Sequence, residues 1–489
     1  MQKLRELFSD TLIYGISNVL ARFINYLLVP FYTDVFSPAR YGIVGLIYAA
    51  ITFLNVVFTF GMESAYLRYA ENRKEAANIF KTIQLSLLGL ATILCLLLWL
   101  LMPWLLPLFN LGQETSGIFL MMLGIIWFDT LAIVPLAELR LVRKTIPFAV
   151  LKLLHVGINI TLNFYLILGL DYGIEAVFIA NLAASMVITM IVWAITSDLF
   201  KGTWNREWMT KAFQFGWPFV PAGIGFAVNE VLDRFFLNNM DPANAVQFYG
   251  AGTTPEDIVG IYNACYKLAV FMLLLVQMYR MAWQPFFMRH ADDEESPKVF
   301  GQAFIWYNAF SAILFLIVAL FREQIVAIEV PVLNATLIGS DYWLGLEIVP
   351  YLLLAYWFHG WYINFSSGVF IKEKTRILYK ITLMGAVITI IANLALIPYL
   401  GMIGSAAATL LSYGAMALTL GIYSKKIMHV PYRLPESLGL MMVFAALVFG
   451  EPAITEWLGT GEISGKIMLF FAGLVVVGGY LFKLARIGK

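Results

Sequence analysis

A chain of 489 residues that is 61% hydrophobic, only 13% charged and carries a net charge of +1 is not a soluble globular protein, because soluble domains are about half apolar and about a quarter charged. The near-zero net charge offers no basic surface for nucleic acid. Cys95 and Cys265 both lie in apolar runs and read as buried free thiols without a disulfide or metal role.

A membrane-spanning helix needs about 20 mostly apolar residues, and the chain offers fourteen such segments. Span 1 covers residues 10–33, behind Lys3 and Arg5; it is too long and too polar for a cleaved leader and reads as the first crossing. Gly15, Asn18, Arg22 and Asn25 follow one another at spacings of three, four and three, which puts them on one helical face. A cation at the bilayer centre costs roughly 2.5–3.5 kcal/mol on insertion scales, so Arg22 belongs against a wet cavity, where it attracts an anionic solute. Asn18 and Asn25 extend the same polar stripe. Span 2, 41–67, leads to Arg68 near the inner end, and span 3 covers 80–102. Span 4, 116–138, holds one carboxylate, Asp129, which reads either as a proton-exchanging group or as a buried polar contact. Span 5, 147–169, carries Lys152, His155, Asn159 and Asn163 in a stripe, the usual mark of helix–helix hydrogen bonding, with Lys152 at the interface. Span 6 is 173–196.

Span 7, 212–237, contains Pro218, Pro221, Gly223 and Gly225, which remove a backbone donor and loosen the helix, so a bend and a hinge are expected. It ends with Asn229, Glu230, Asp233 and Arg234. Glu230 and Arg234 are four apart in the favourable order for a helical ion pair, either structural or a gate. Asp233 is the alternative ligand for a coupling cation, and Arg234 is a further candidate cavity cation. Span 8, 258–281, places Asn263 and Lys267 one turn apart, with Gln277 and Arg280 nearer the inner end. Lys267 reads as the second cavity cation. Arg280 either joins it or snorkels to the interface. Spans 9 to 14 are 300–321, 344–370, 377–398, 402–423, 435–455 and 464–485, with His359 in span 10.

Lysine and arginine accumulate in cytoplasmic loops. Of the 32 cations, 26 fall in one set of alternate connections, three in the other set (Arg40, Arg322, Lys466), and three inside spans (Arg22, Arg234, Lys267). An even number of spans with both termini cytoplasmic follows.

The chain also repeats itself. Trp127-Phe128-Asp129 matches Trp357-Phe358-His359, Lys144-Thr145 matches Lys374-Thr375, and Asn163 matches Asn393, each at an offset of 230. Ile43-Val44-Gly45-Leu46-Ile47-Tyr48 resembles Ile258-Val259-Gly260-Ile261-Tyr262 at 215, and Tyr14-Gly15 resembles Phe215-Gly216 at 201. Spans 1–6 therefore correspond to spans 7–12. Six is even, so the two halves share one membrane orientation, a parallel repeat of the kind transporters use, with the substrate site between halves. The expected fold is an all-α integral membrane protein of fourteen transmembrane helices. Its two six-helix lobes are residues 1–200 and 201–425, with two extra C-terminal helices in 426–489.

The stretch Tyr14-Gly15 … Leu28-Val29-Pro30-Phe31-Tyr32-Thr33 … Ser37-Pro38-Ala39-Arg40-Tyr41-Gly42 resembles the start of Wzx-type oligosaccharide (O-antigen or polysaccharide) flippases of the multidrug/oligosaccharidyl-lipid/polysaccharide (MOP) exporter superfamily. Leu170-Asp171-Tyr172-Gly173-Ile174-Glu175-Ala176 and Leu400-Gly401-Met402-Ile403-Gly404-Ser405-Ala406 look like that family's turn between spans 5 and 6. The six-plus-six-plus-two plan matches along the whole chain. The resemblance implies a flippase that moves undecaprenyl-pyrophosphate-linked oligosaccharide from the cytoplasmic to the periplasmic leaflet of the bacterial inner membrane, for lipopolysaccharide or a related polymer. It implies a cavity lined by the first two spans of each half, whose cations here are Arg22, Arg68, Arg234, Lys267 and Arg280, with Asn18, Asn25 and Asn263 as polar lining. Asp129, His359, Glu230 and Asp233 are the candidates for ion coupling or gating, and Pro218 and Pro221 for the hinge. Arginine suits pyrophosphate because its planar fork donates two bonds at once.

The alternatives within the superfamily are a lipid II flippase and a drug or metabolite cation antiporter; the cations at 22 and 267 argue against the antiporter. An enzyme is not expected. The four histidines, at 155, 290, 359 and 429, make no metal-ligand spacing, and no Walker-type glycine loop is present. No cofactor or metal is expected. The expected partners are the lipid-linked oligosaccharide, membrane lipid, and a glycan polymerase or glycosyltransferases, with the protein itself a monomer.

Overall fold

The structure, a computed structural model, describes residues 28–71, 73–290, 293–331 and 333–487. It is helical almost throughout; the strands among the described residues are one small hairpin, β1 (Glu329–Val330) and β2 (Ala335–Thr336). The helices are α1 (Leu28–Val35), α2 (Pro38–Thr59), α3 (Met62–Tyr69), α4 (Ala76–Leu108), α5 (Ser116–Leu141), α6 (Thr145–Phe164), α7 (Glu175–Ile195), α8 (Arg206–Gly216), α9 (Phe219–Asn238) and α10 (Pro242–Tyr249). They continue as α11 (Pro255–Arg289), α12 (Ser296–Leu320), α13 (Arg322–Val326), α14 (Val349–Ile371), α15 (Arg376–Ile427), α16 (Leu434–Phe449), α17 (Glu451–Leu458) and α18 (Glu462–Ile487).

Within the described residues the expected spans fall on helices, with spans 2, 7 and 13 each running over two, α2–α3, α8–α9 and α16–α17. Among the described residues nine helices are long and apolar enough to cross a membrane, and ten if α16 and α17, bent by 63° at Gly450, form one crossing. Two expected spans fall outside that count for a chemical reason. Helix α9 carries Glu230, Asp233 and Arg234, and α14 is rich in Trp, Tyr, Asn and Ser. Helix α15 spans two expected crossings and breaks at Gly401.

The outward faces need a membrane to make sense. Helix α4 leaves Ile93 64% and Trp104 70% exposed, with Leu96, Leu97, Trp99 and Leu100 beside them. A contiguous apolar face of this kind is unfavourable in water and neutral in lipid.

Several backbone features recur at the 230-residue offset found in the sequence. Helices α5 and α14 both end in a left-handed residue, Arg143 at φ +56° and Glu373 at φ +52°. The same bonds close both ends: Lys144 N–H reaches Leu139 O at 2.8 Å, and Lys374 N–H reaches Val369 O at 2.9 Å. This is the pattern of a Schellman-type cap, which satisfies carbonyls left over at the helix end. Further on, Asp171 and Gly401 both take φ +55° at the turn after the next helix. Asn163 and Asn393 both donate to the carbonyl four residues back, Asn159 at 2.8 Å and Thr389 at 2.7 Å. Each of these pairs is 230 residues apart.

By packing, the chain divides into two compact units. Among the described residues, the first holds the chain from Leu28 to Asn239 together with Pro255–Gly260; the second holds Met240–Thr254 and the chain from Ile261 to Ile487. This grouping departs from the expected boundary after residue 200. Helices α8 and α9 join the first unit because they pack on α2, α3 and α4, where glycines let the backbones meet. In the second unit α14 lies along α15 and against α12. Its core is aromatic: Asn308 Oδ1 accepts from the indole N–H of both Trp357 and Trp361, at 2.9 and 2.8 Å. The break at Gly401 is filled by Tyr249 of α10, whose hydroxyl accepts from Met402 N–H at 2.6 Å.

Candidate functional site

Four helices of the first unit each turn one face toward a cavity of about 570 Å³. Helix α2 supplies Asn55, Val56 and Thr59; α5 supplies Asp129, Ala132, Ile133 and Leu136. Helix α6 supplies Leu151, Lys152, His155 and Val156, and α7 supplies Ser185 and Ile188. The spacings of three, four and seven are those of a single helical face. A volume of this size suits a small ligand or a headgroup fragment.

The polar groups of the cavity are knitted together. Asp129 takes a hydrogen bond from Ser185 and feels the charge of Lys152. His155 Nε2 lies 3.3 Å from Ser185 Oγ. Lys152 Nζ lies 5.9 Å from the centre of the Phe148 ring. One carboxylate and one ammonium leave the lining near neutral, and a charge in such a site needs its partner. Lys152 and His155 read from the sequence as interfacial and helix-packing residues; the fold brings both to Asp129. Asn55, Thr59 and Ser185 escaped the sequence reading. Their signal is the four-residue spacing Asn55–Thr59 and the stripe Asn181, Ser185, Thr189.

Below this cavity, ion pairs tie the first unit. Arg73 Nη2 and Nη1 donate to Glu138 at 2.6 and 3.0 Å, and Tyr66 donates to the same carboxylate at 2.7 Å. The bond to Glu138 holds the Arg73 guanidinium above its ordinary value. Arg140 pairs with Glu63.

A family model described as "Polysaccharide biosynthesis protein" matches residues 7–291. The chain belongs to that family. No curated protein matches this polysaccharide biosynthesis family member. Among solved structures it is similar to "Lipid II flippase MurJ, inward closed conformation", with a TM-score of 0.72 and 15% identity over 98% of this chain and 99% of that one. It is also similar to a multidrug resistance MATE family transporter of the MOP superfamily in an inward-facing conformation, with a TM-score of 0.63 and 14% identity over 85% and 94% of the two chains. A MOP superfamily transporter from Pyrococcus furiosus gives a TM-score of 0.53 and 13% identity over 86% and 94%. At these identities the likeness is one of fold. The protein is a multi-pass membrane protein of the polysaccharide biosynthesis family.

The structure places the expected site residues of this family member unevenly. Asn18, Arg22 and Asn25 lie outside the described residues. Lys267 is half-buried on α11, one turn from buried Asn263. Arg280 is exposed on the same helix, near enough for its charge to act on His359. His359 stacks on Tyr413 with ring centres 4.8 Å apart, and its Nδ1 has no hydrogen-bond partner among the described residues. Arg68 is exposed on α3, over the ring of Phe215 at 5.7 Å.

Arg234 of α9 is 6% exposed, and its Nη1 lies 2.6 Å from the carboxylate of adjacent Asp233 and 2.5 Å from the backbone oxygen of Glu230. The guanidinium thus bonds the carbonyl of Glu230 and the side chain of Asp233. Pro218 stands where α8 gives way to α9, and Pro221 lies in the first turn of α9, where its missing N–H is harmless.

Proposed function

We propose that this protein is a secondary transporter that flips an undecaprenyl-pyrophosphate-linked oligosaccharide from the cytoplasmic to the periplasmic leaflet by alternating access. The observation that carries the reading is the family match over residues 7–291, joined to cations inside apolar stretches of the sequence, Arg22 and Lys267. A half-buried ammonium on α11 beside Asn263 suits a hydrated cavity that receives phosphates. The two lobes are taken as 1–200 and 201–425, followed by spans 13 and 14, with fourteen crossings, both termini cytoplasmic and the protein in the bacterial inner membrane. Lys267 and Arg22 meet the pyrophosphate, with Arg68 and Arg280 nearer the inner entrance. Arg234 is the further cavity cation on span 7, with Glu230 and Asp233 beside it as candidates for gating or ion coupling. Asp129 and His359, at matching places in the two copies, are the groups assigned to ion coupling.

A second reading, a lipid II flippase, draws on the likeness to MurJ along 98% of the chain. Deletion of the gene followed by chemical analysis of the lipid-linked intermediate that accumulates separates the two. A growing glycan repeat on its carrier supports the first, and lipid II the second. No accumulation, with altered drug resistance instead, would replace both by the antiporter.

A further inference from the structure

Helix α2 is held at both ends by main chain meeting main chain. At its start, a Cβ on Gly42 would stand 2.1 Å from the carbonyl oxygen of Glu256, and one on Gly260 would stand 1.9 Å from that of Pro38. Only glycine permits such an approach. At the far end, Phe60 and Gly61 turn the chain at φ +47° and +67°. There a Cβ on Gly216 would stand 2.2 Å from the carbonyl oxygen of Phe60, and one on Gly61 would stand 2.8 Å from that of Gly216. One turn back along α2, a Cβ on Gly223 would stand 2.5 Å from Val56 Cγ1. Ring faces surround this second crossing. Phe60 packs on Phe213 and Trp217 with centres 5.1 and 6.0 Å apart, and Arg68 covers Phe215 at 5.7 Å.

The partners differ at the two ends: the first turn of α11 at one, the α8–α9 junction at the other. In the duplicated plan α2 belongs to the first copy and all of these partners to the second. The cation pattern puts Gly42 and Gly260 near the outer surface and Gly61 and Gly216 near the inner one. Contacts of bare backbone and ring faces are weak atom by atom, so they separate without stranding a charge.

We propose that the two glycine crossings are the two gates of the transport cycle. Gly42–Gly260 parts when the protein opens outward, and Gly61–Gly216 parts when it opens inward. Arg68 then acts as part of the inner latch through Phe215. This rests on the alternating-access reading above. Each gate closes only because no side chain intervenes, so one methyl group at a crossing props that end and leaves the other free to shut.

The test uses a reporter thiol at Thr52→Cys, the exposed residue of α2 between the crossings, in a Cys95→Ser, Cys265→Ser background. A membrane-impermeant maleimide is applied to right-side-out and inside-out vesicles. Gly42→Ala should raise labelling from the outer face about fivefold and lower it from the inner face, and Gly216→Ala should do the reverse. If either variant fails to reach the membrane, Gly260→Ala or Gly223→Ala reports the same gate. Shifts in one common direction, or none, overturn the gate assignment. A reporter with the native glycines that labels from one face alone during transport, or from neither, overturns alternating access itself.

Discussion

Arg143 and Glu373, 230 residues apart, hold the same left-handed backbone at φ +56° and +52°. Neither is glycine or asparagine, the residues that occupy this conformation at least cost. The cap was kept in both copies of the repeat although its residue type was not. Glu373→Gly should therefore stabilise the protein by up to about 1 kcal/mol. Thermal unfolding in detergent checks this; an unchanged or lower midpoint would mean that the Glu373 side chain contributes more than the strain it carries.

Lys267→Ala should abolish export while the protein remains in the membrane at its usual level, and Arg22→Ala should do the same. Both are read by appearance of the glycan at the cell surface against an immunoblot of membranes. Full export in both variants would remove cavity cations from the proposal. Lys267→Arg should retain much of the activity if charge is what the site requires.

Asp129 and Lys152 should be energetically coupled. Asp129→Asn and Lys152→Gln each leave a charge in the cavity without its counterpart, whereas the double variant leaves none. A double-mutant cycle on unfolding should give an interaction of about 0.5–3 kcal/mol. In transport, Asp129→Asn should flatten the pH dependence shown by the unaltered protein. An unchanged pH profile would reduce Asp129 to a packing residue.

Gly401 takes φ +55° with ψ −131°, a backbone region essentially reserved for glycine. A Cβ there would also stand 2.1 Å from the Tyr249 hydroxyl. Gly401→Ala should cost at least about 1–3 kcal/mol. Tyr249→Phe, which deletes the acceptor for Met402 N–H, should cost about 1 kcal/mol. Combining the two should cost less than the sum, because the phenylalanine removes the atom the new methyl strikes. Additive losses in a thermal shift assay would show that the clash is relieved elsewhere.

Helix positions and the duplication were legible in the sequence, because both rest on apolar runs and on an offset that survives loop insertions. The meeting of side chains from different helices was not. Ser185 looks like any hydroxyl in span 6 until α7 is laid against α5 and α6, and Phe215 gives no sign that Arg68 will cover it. Arg234 shows a nearer case: spacing points to Glu230 four residues back, and bonds to the neighbouring Asp233 and to the backbone oxygen of Glu230 are what spacing does not reveal. The two apolar counts that fell short, α9 and α14, did so because polar and aromatic residues had replaced aliphatic ones where helices pack on each other.

The matched places of Asp129 and His359 carry a consequence for how the two copies have diverged. An acid stands in one and an imidazole 230 residues on in the other, the first on the wall of a cavity of about 570 Å³ and the second stacked flat on Tyr413. In a duplicated chain the two copies are free to carry different chemistry at matching positions. A mirror-image swap of these two side chains would ask whether the modules are still interchangeable or have become specialists.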